Sequence, residues 1–305
     1  MSVAQPVLSS NAVAELRRHA YFPRAIRLSA EGAVAIYRTN TLLNLLLSDR
    51  ARALFTHVAL YLHFRGTEPG QSGLTAGAMK DLCVQLGLCS RGRCEALLVL
   101  MRAGGLLTAA PDPDRRKRLL VPTEKLLALH RARWGLHFEA MHGLVPHAAD
   151  YLAAVRSDPA FTEAFAIALG HRFVAGLRIL DNAPDLEPFA ERNAGFVILF
   201  SLALSGNASD GFPPAAPVQL SINALAKDFG VSRKHVLSLL REAEARQLLM
   251  RSGAANNEVR LLPRGRDALE AMFATMYLYL AQCADEALGA RTGGAEPSVL
   301  TATAV

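Results

Sequence analysis

The segment "SRGRCEALLVLMRAGGLL" (Ser90–Leu107) recurs in outline 142 residues later as "SRKHVLSLLREAEARQLL" (Ser232–Leu249), and the two align without a gap. The frame holds further along, where "RLL" at Arg118–Leu120 falls on "RLL" at Arg260–Leu262. Upstream, "LCVQLG" (Leu82–Gly87) matches "LAKDFG" (Leu225–Gly230) after a slip of one residue. The apolar runs "ALFTHVALYL" (Ala53–Leu62) and "GFVILFSLAL" (Gly195–Leu204) also correspond. Identity is low, but apolar positions, turn glycines and Ser-Arg pairs agree together. Two copies are too few for a solenoid, so the pattern reads as a duplicated domain.

Each copy predicts the same run of elements. An apolar helix comes first, at roughly 50–65 and 192–205, followed by a connection rich in Gly, Pro and Ser. Short helices then start near Thr75 and Ser221. They stop at Gly87 and Gly230, where glycine suits the left-handed turn that ends a helix. Ser90 and Ser232 stand as N-caps of the next helix. In that helix Cys94, Leu97, Leu98 and Met101 recur at helical spacing, as do Val236, Leu239, Leu240 and Ala243. The stretches "LLTAAPDPDRRKRLLV" and "LLMRSGAANNEVRLLP" then read as β-hairpins, an apolar pair and a second apolar stretch joined by a polar turn. A closing helix follows each.

Helix, tight turn, helix and hairpin describe a winged helix-turn-helix. The expected fold is therefore mainly α with small β-hairpins (α+β). The expected divisions are an N-terminal helical scaffold at 1–48, a first winged domain at 49–135, a helical scaffold at 136–190, a second winged domain at 191–290 and a disordered tail at 291–305.

A helix that enters the DNA major groove needs polar residues in its first turns. The expected exposed positions are Arg91, Arg93 and Glu95 after Ser90 in copy one. In copy two they are Arg233, Lys234, Ser238 and Arg241 after Ser232, with His235 near the edge. Arginine at a helix start reaches guanine edges or clamps phosphate, and the helix N-terminus itself favours phosphate. A basic hairpin tip can follow the negative potential of the minor groove. Arg115, Arg116, Lys117 and Arg118 have that composition; the second hairpin offers Arg251 and Arg260.

"LGLCSRGRCEALLVLMRAGGLL" followed by "PDPDRRKRLLVPTEK" resembles the MarR-type winged-helix transcription regulators. Their wing carries a D-x-R element and then a Thr that opens the next helix. Asp114, Arg116 and Thr123 match it, which implies that Asp114 orients the wing and Arg116 contacts DNA. Copy two lacks the D-x-R, while in copy one Gly92 weakens the first turn of the reading helix. Because such regulators usually dimerise with one module per chain, two modules imply a pseudo-dimer within one chain. It would read two half-sites of double-stranded DNA about one helical turn (~34 Å) apart. The resemblance also implies a small-molecule effector, bound between scaffold and DNA-binding lobes. Pairing of whole chains into a homodimer stays open. The alternative is an architectural or interaction protein, or a replication-initiator-like protein of tandem winged-helix type.

The net charge of +6 is uneven: residues 1–150 carry 19 Lys/Arg against 11 Asp/Glu, and residues 151–305 carry 14 against 16. A basic half suggests a polyanionic partner. A hydrophobic fraction of 51% and a charged fraction of 20% describe an ordered chain. The N-terminus has no signal-peptide pattern, and the apolar runs are too short to span a bilayer, so the expectation is a cytoplasmic protein that makes no use of a membrane. Cys83, Cys89, Cys94 and Cys283 match neither zinc-ligand nor disulfide spacing. Cys89, beside the N-cap of the reading helix, invites a redox-sensing role, against which stand the core positions of Cys94 and Cys83. His57, His63, His130, His137, His142 and His147 form no metal-ligand spacing. With no Gly-rich phosphate loop, GxSxG or paired-carboxylate motif, neither a cofactor, a metal nor catalysis is expected.

Overall fold

Burial at helical spacing sets the architecture. The structure is a computed structural model that describes residues 8–39, 50–66, 73–110, 119–207, 211–254 and 256–292. It is mainly helical with two small antiparallel sheets. Two N-terminal helices, α1 (Ser10–Arg18) and α2 (Phe22–Thr39), come first. On α2 the residues Phe22, Ile26, Ser29, Val34 and Tyr37 recur every three to five positions and are all buried, so one stripe faces inward.

The first repeat comprises α3 (Arg50–Arg65), α4 (Ala76–Gln85), α5 (Arg91–Ala103), β1 (Leu107–Ala109), β2 (Leu120–Pro122) and α6 (Glu124–Ala140). Helices α7 (Ala148–Ser157) and α8 (Pro159–Val174), two turns of 3-10 helix and the short α9 (Glu187–Glu191) lead to the second repeat. That repeat comprises α10 (Gly195–Leu204), β3 (Val218–Gln219), α11 (Ile222–Asp228), α12 (Arg233–Ala245), β4 (Leu249–Ser252), β5 (Glu258–Leu261) and α13 (Pro263–Thr292). Strands β1 and β2 pair antiparallel, with Leu107 opposite Pro122. The second sheet gains a strand and runs β3-β5-β4, with Leu249 opposite Leu261 and Val218 opposite Val259. The run around Ile198 is the buried helix its composition suggests. It begins at Gly195, after Ala194 takes a left-handed conformation (φ 58°), rather than at 192. The expected tail at 291–305 starts two residues too early, since α13 runs on to Thr292, and the remainder lies outside the described residues; no helix among the described residues is long and apolar enough to cross a membrane.

Two helices outside the repeats join them. Helix α8 packs on α3 of the first repeat and on α13 of the second, while α2 packs on α6 and α10. Buried side chains of both halves thus form one continuous apolar cluster. The α3–α8 contact is especially close: a Cβ on Gly170 would lie 2.2 Å from Cδ2 of Tyr61. Hydrogen bonds cross the same core. Ser29 on α2 bonds the Tyr277 hydroxyl of α13 at 2.7 Å, and Nδ1 of His137 on α6 lies 3.1 Å from the same Ser29 oxygen.

Because Gly170 admits the Tyr61 ring, Gly170→Ala should destabilise the chain by about 1–3 kcal/mol through overpacking. Urea unfolding followed by circular dichroism would show this as a lower midpoint at unchanged m value.

Candidate nucleic-acid interface

The two helix-turn-helix-hairpin units match in detail. Thr75 and Ser221 cap α4 and α11 by accepting from Ala78 N (3.0 Å) and Ala224 N (3.2 Å). The turns pass through left-handed Gly87 (φ 65°) and Gly230 (φ 63°). Ser90 and Ser232 then cap α5 and α12, accepting from Arg93 N at 3.3 Å and His235 N at 3.1 Å. Gly92 does not prevent α5 from starting at Arg91, because the Ser90 cap holds that first turn.

Burial follows the 142-residue frame. Cys94, Leu97, Leu98 and Met101 are buried, as are their counterparts Val236, Leu239, Leu240 and Ala243. The exits match too. Gly105 (φ 67°) and Gln247 (φ 59°) are both left-handed, and Leu106 N and Leu248 N donate to Met101 O and Ala243 O at 2.8 and 2.9 Å. Thr123 occupies the N-cap of α6, but its hydroxyl donates back to Gly105 O at 2.7 Å instead of capping that helix. It therefore ties the start of α6 to the turn after α5.

The outward faces differ. Lys234, Ser238 and Arg241 share one face of α12 by helical spacing, with Arg233 in the same first turn; Arg233, Lys234 and Arg241 are exposed and Ser238 is half-buried. No ion pair among the described residues involves these three cations. His235 turns aside, its Nε2 donating to Asn193 O at 2.8 Å, so it anchors α12 to the turn before α10. On α5, Arg91 and Arg93 are exposed, and Arg91 pairs with Asp81 of α4 at 2.5 Å. Glu95 pairs with Lys80. The side chains of Arg91 and Asp81 are 60% and 68% exposed, so this pair is weak and Arg91 can exchange it for phosphate. The rest of the outward face of α5 carries Ala96, Val99 and Arg102, with Val99 58% exposed.

In the second hairpin Arg260 is exposed, whereas the Arg251 side chain is only 14% exposed and bonds Glu244 of α12 at 2.6 Å. Its backbone N–H reaches the same carboxylate at 3.0 Å. Asp114, Arg115, Arg116, Lys117 and Arg118 lie outside the described residues.

The thiols of Cys83, Cys89 and Cys94 meet where α4 turns into α5. A hydrogen bond with Cys94, together with burial, pushes the Cys83 thiol up. Burial, and then the neighbouring Cys94, raises Cys89 as well. This outweighs the helix N-terminus, which by itself favours a thiolate there. Cys283 is buried in α13. No group of three His, Cys, Asp or Glu among the described residues could hold a metal ion.

Three of the histidines, His57, His130 and His137, lie close to Arg133, a grouping that metal-ligand spacing does not reveal. Burial first, and then the Arg133 charge, holds His57 down at about 4 and His137 at about 3. Burial first, then His57 and Arg133, likewise lowers His130. The Thr56 hydroxyl donates to Ala53 O, so it accepts from His130 Nε2 at 3.0 Å. The signal was present in the spacing, since positions 130, 133, 134 and 137 share one face of α6.

Burial pushes the Glu244 carboxyl up, but the Arg251 hydrogen bonds and charge outweigh this and leave it below the usual carboxylate range. Arg251→Ala should therefore cost about 1–3 kcal/mol of folding stability at neutral pH by leaving a part-buried carboxylate without its partner. A depressed folded pKa gives stability that is present above about 4.5, the unfolded value, and lost as pH falls through the folded one. The difference between variant and parent should shrink in acid, which urea unfolding at pH 7 and below pH 4.5 would measure.

Comparison with protein-family models, with curated proteins and with solved structures gives no match for this chain.

Proposed function

We propose that the chain is a sequence-specific transcription regulator that binds duplex DNA through two winged helices arranged as a pseudo-dimer. The observation that carries this reading is the outward face of α12. Lys234, Ser238 and Arg241 project from a helix with a capped N-terminus and a hairpin close behind it, and Arg233 stands in the same first turn. This is the placement that base-edge and phosphate contacts require. The matching cap, turn and hairpin around α5 support a second, weaker contact through Arg91 and Arg93. No chemistry is assigned to either unit; regulation would follow from occupancy of a promoter. In this reading Ser90 and Ser232 fix the helix starts and His235 holds α12 in place, while Arg260 meets phosphate from the hairpin. Arg251 supports the hairpin through Glu244.

One observation favours a second reading for the first unit. Between Arg93 and Arg102, the exposed face of α5 presents Glu95, Ala96 and Val99, a stretch without a cation that suits contact with another protein better than contact with a phosphate backbone.

A salt-titrated gel-shift assay on upstream DNA tests both readings. Binding should weaken steeply with salt, each neutralised phosphate adding about −0.9 to the log–log slope. Arg233→Ala/Lys234→Ala/Arg241→Ala should lower affinity at least about tenfold and flatten that slope. No binding at about 50 mM salt would sink the regulator reading. In the same assay, replacing Arg115, Arg116, Lys117 and Arg118 by Ala measures what the basic run contributes. Unchanged affinity would leave the first unit to the protein-contact reading.

A further inference from the structure

We propose that the cavity between the two repeats binds an apolar monocarboxylate, whose carboxylate is held by the guanidinium of Arg133. The proposal does not rest on the DNA-binding reading. The cavity has a volume of about 340 Å³, within the range that receives one small organic molecule. Helices α3 and α6 of the first repeat, α10 and α13 of the second, and the bridging α2 and α8 form its wall. The lining is mainly aliphatic, with aromatic side chains among it such as Tyr37, Tyr61, Trp134, Phe173, Phe200 and Phe273.

The charge on this wall has one sign. Arg133 and Arg178 line the cavity, and no Asp or Glu is among its described lining residues. Arg178 is satisfied: its Nη1 donates to Phe173 O at 2.6 Å and Leu177 O at 2.9 Å, and its guanidinium lies 4.0 Å from the Phe173 ring centre. Arg133 differs. Its Nη1 is buried without a hydrogen-bond partner, and no ion pair among the described residues involves it. The neighbouring His57 and His137 are neutral at pH 7, so they add no positive charge and supply no anion.

A guanidinium left unpaired against an apolar, low-dielectric wall is unfavourable, and an anion that accepts from it removes the penalty. Carboxylate geometry matches the guanidinium fork. The apolar lining selects the remainder of the ligand, because each apolar carbon that leaves water for the cavity favours binding. A multiply charged anion fits poorly, since Arg133 is the one uncommitted cation among the described lining residues and the walls around it cannot solvate a second charge.

Calorimetric titration of the full chain with two matched pairs tests the assignment: octanoate against octanamide, and 3-phenylpropanoate against 3-phenylpropanamide. Each acid should bind at least about tenfold more tightly than its amide. Trp134, the single tryptophan of the chain, lines the cavity and should change its emission on the same titration. Arg133→Met should abolish the acid preference, and Arg133→Lys should retain part of it. Filling the space with Ala33→Phe should weaken acid and amide alike. Equal binding of acid and amide, no saturation by about 1 mM, or binding that leaves Trp134 emission unchanged would each overturn the proposal. If Arg133→Met loses its helical circular dichroism, the acid–amide contrast on the native chain still decides.

Discussion

The rest of the structure depends on how closely α8 approaches α3. Gly170 lets the backbone of α8 lie against the Tyr61 ring, at a distance that any Cβ would violate. With α3 fixed there, the first repeat is set on one side of α8, and the contact of α8 with α13 sets the second repeat on the other. Helix α2 repeats the arrangement between α6 and α10, so neither repeat buries its helical face on its own partner alone. Two repeats that each expose an apolar helix need such bridges, because unburied apolar area costs about 25 cal/mol for each Å².

Polar groups in this core are placed with equal economy. Ser29 meets Tyr277 and His137, and so ties α2, α13 and α6 at one point. His130 and Thr56 tie α6 to α3. These bonds satisfy groups whose burial would otherwise be costly. Several buried polar atoms lack a partner, among them Nδ1 of His130 and the Thr275 hydroxyl; Arg133 Nη1 is another, and it belongs to a residue that lines the cavity, with neutral His57 and His137 beside it.

The duplicated units were legible in the sequence because their determinants are local. A Ser cap, a glycine turn and apolar residues three and four apart act within a few residues of one another, and the structure returns them at Ser90, Gly87 and Leu97 as at Ser232, Gly230 and Leu239. The outward residues of α5 and α12 were legible for the same reason. Their partners were not. Arg91 meets Asp81 on the preceding helix, His235 turns to Asn193, and Arg251 folds onto Glu244 across the hairpin. Each is an interaction between elements, and spacing along the chain carries no record of it.

What the sequence by itself determined is the pair of helix-turn-helix frames, their caps and turns, and the uneven spread of basic charge. Hydrogen bonds and steric limits over a few residues suffice to write these. Only the tertiary structure decided which cations remain turned outward, how α2 and α8 join the repeats, and that Arg133 stands unpaired at an apolar cavity. Those outcomes depend on which distant side chains arrive at the same place, and packing of the whole chain settles that.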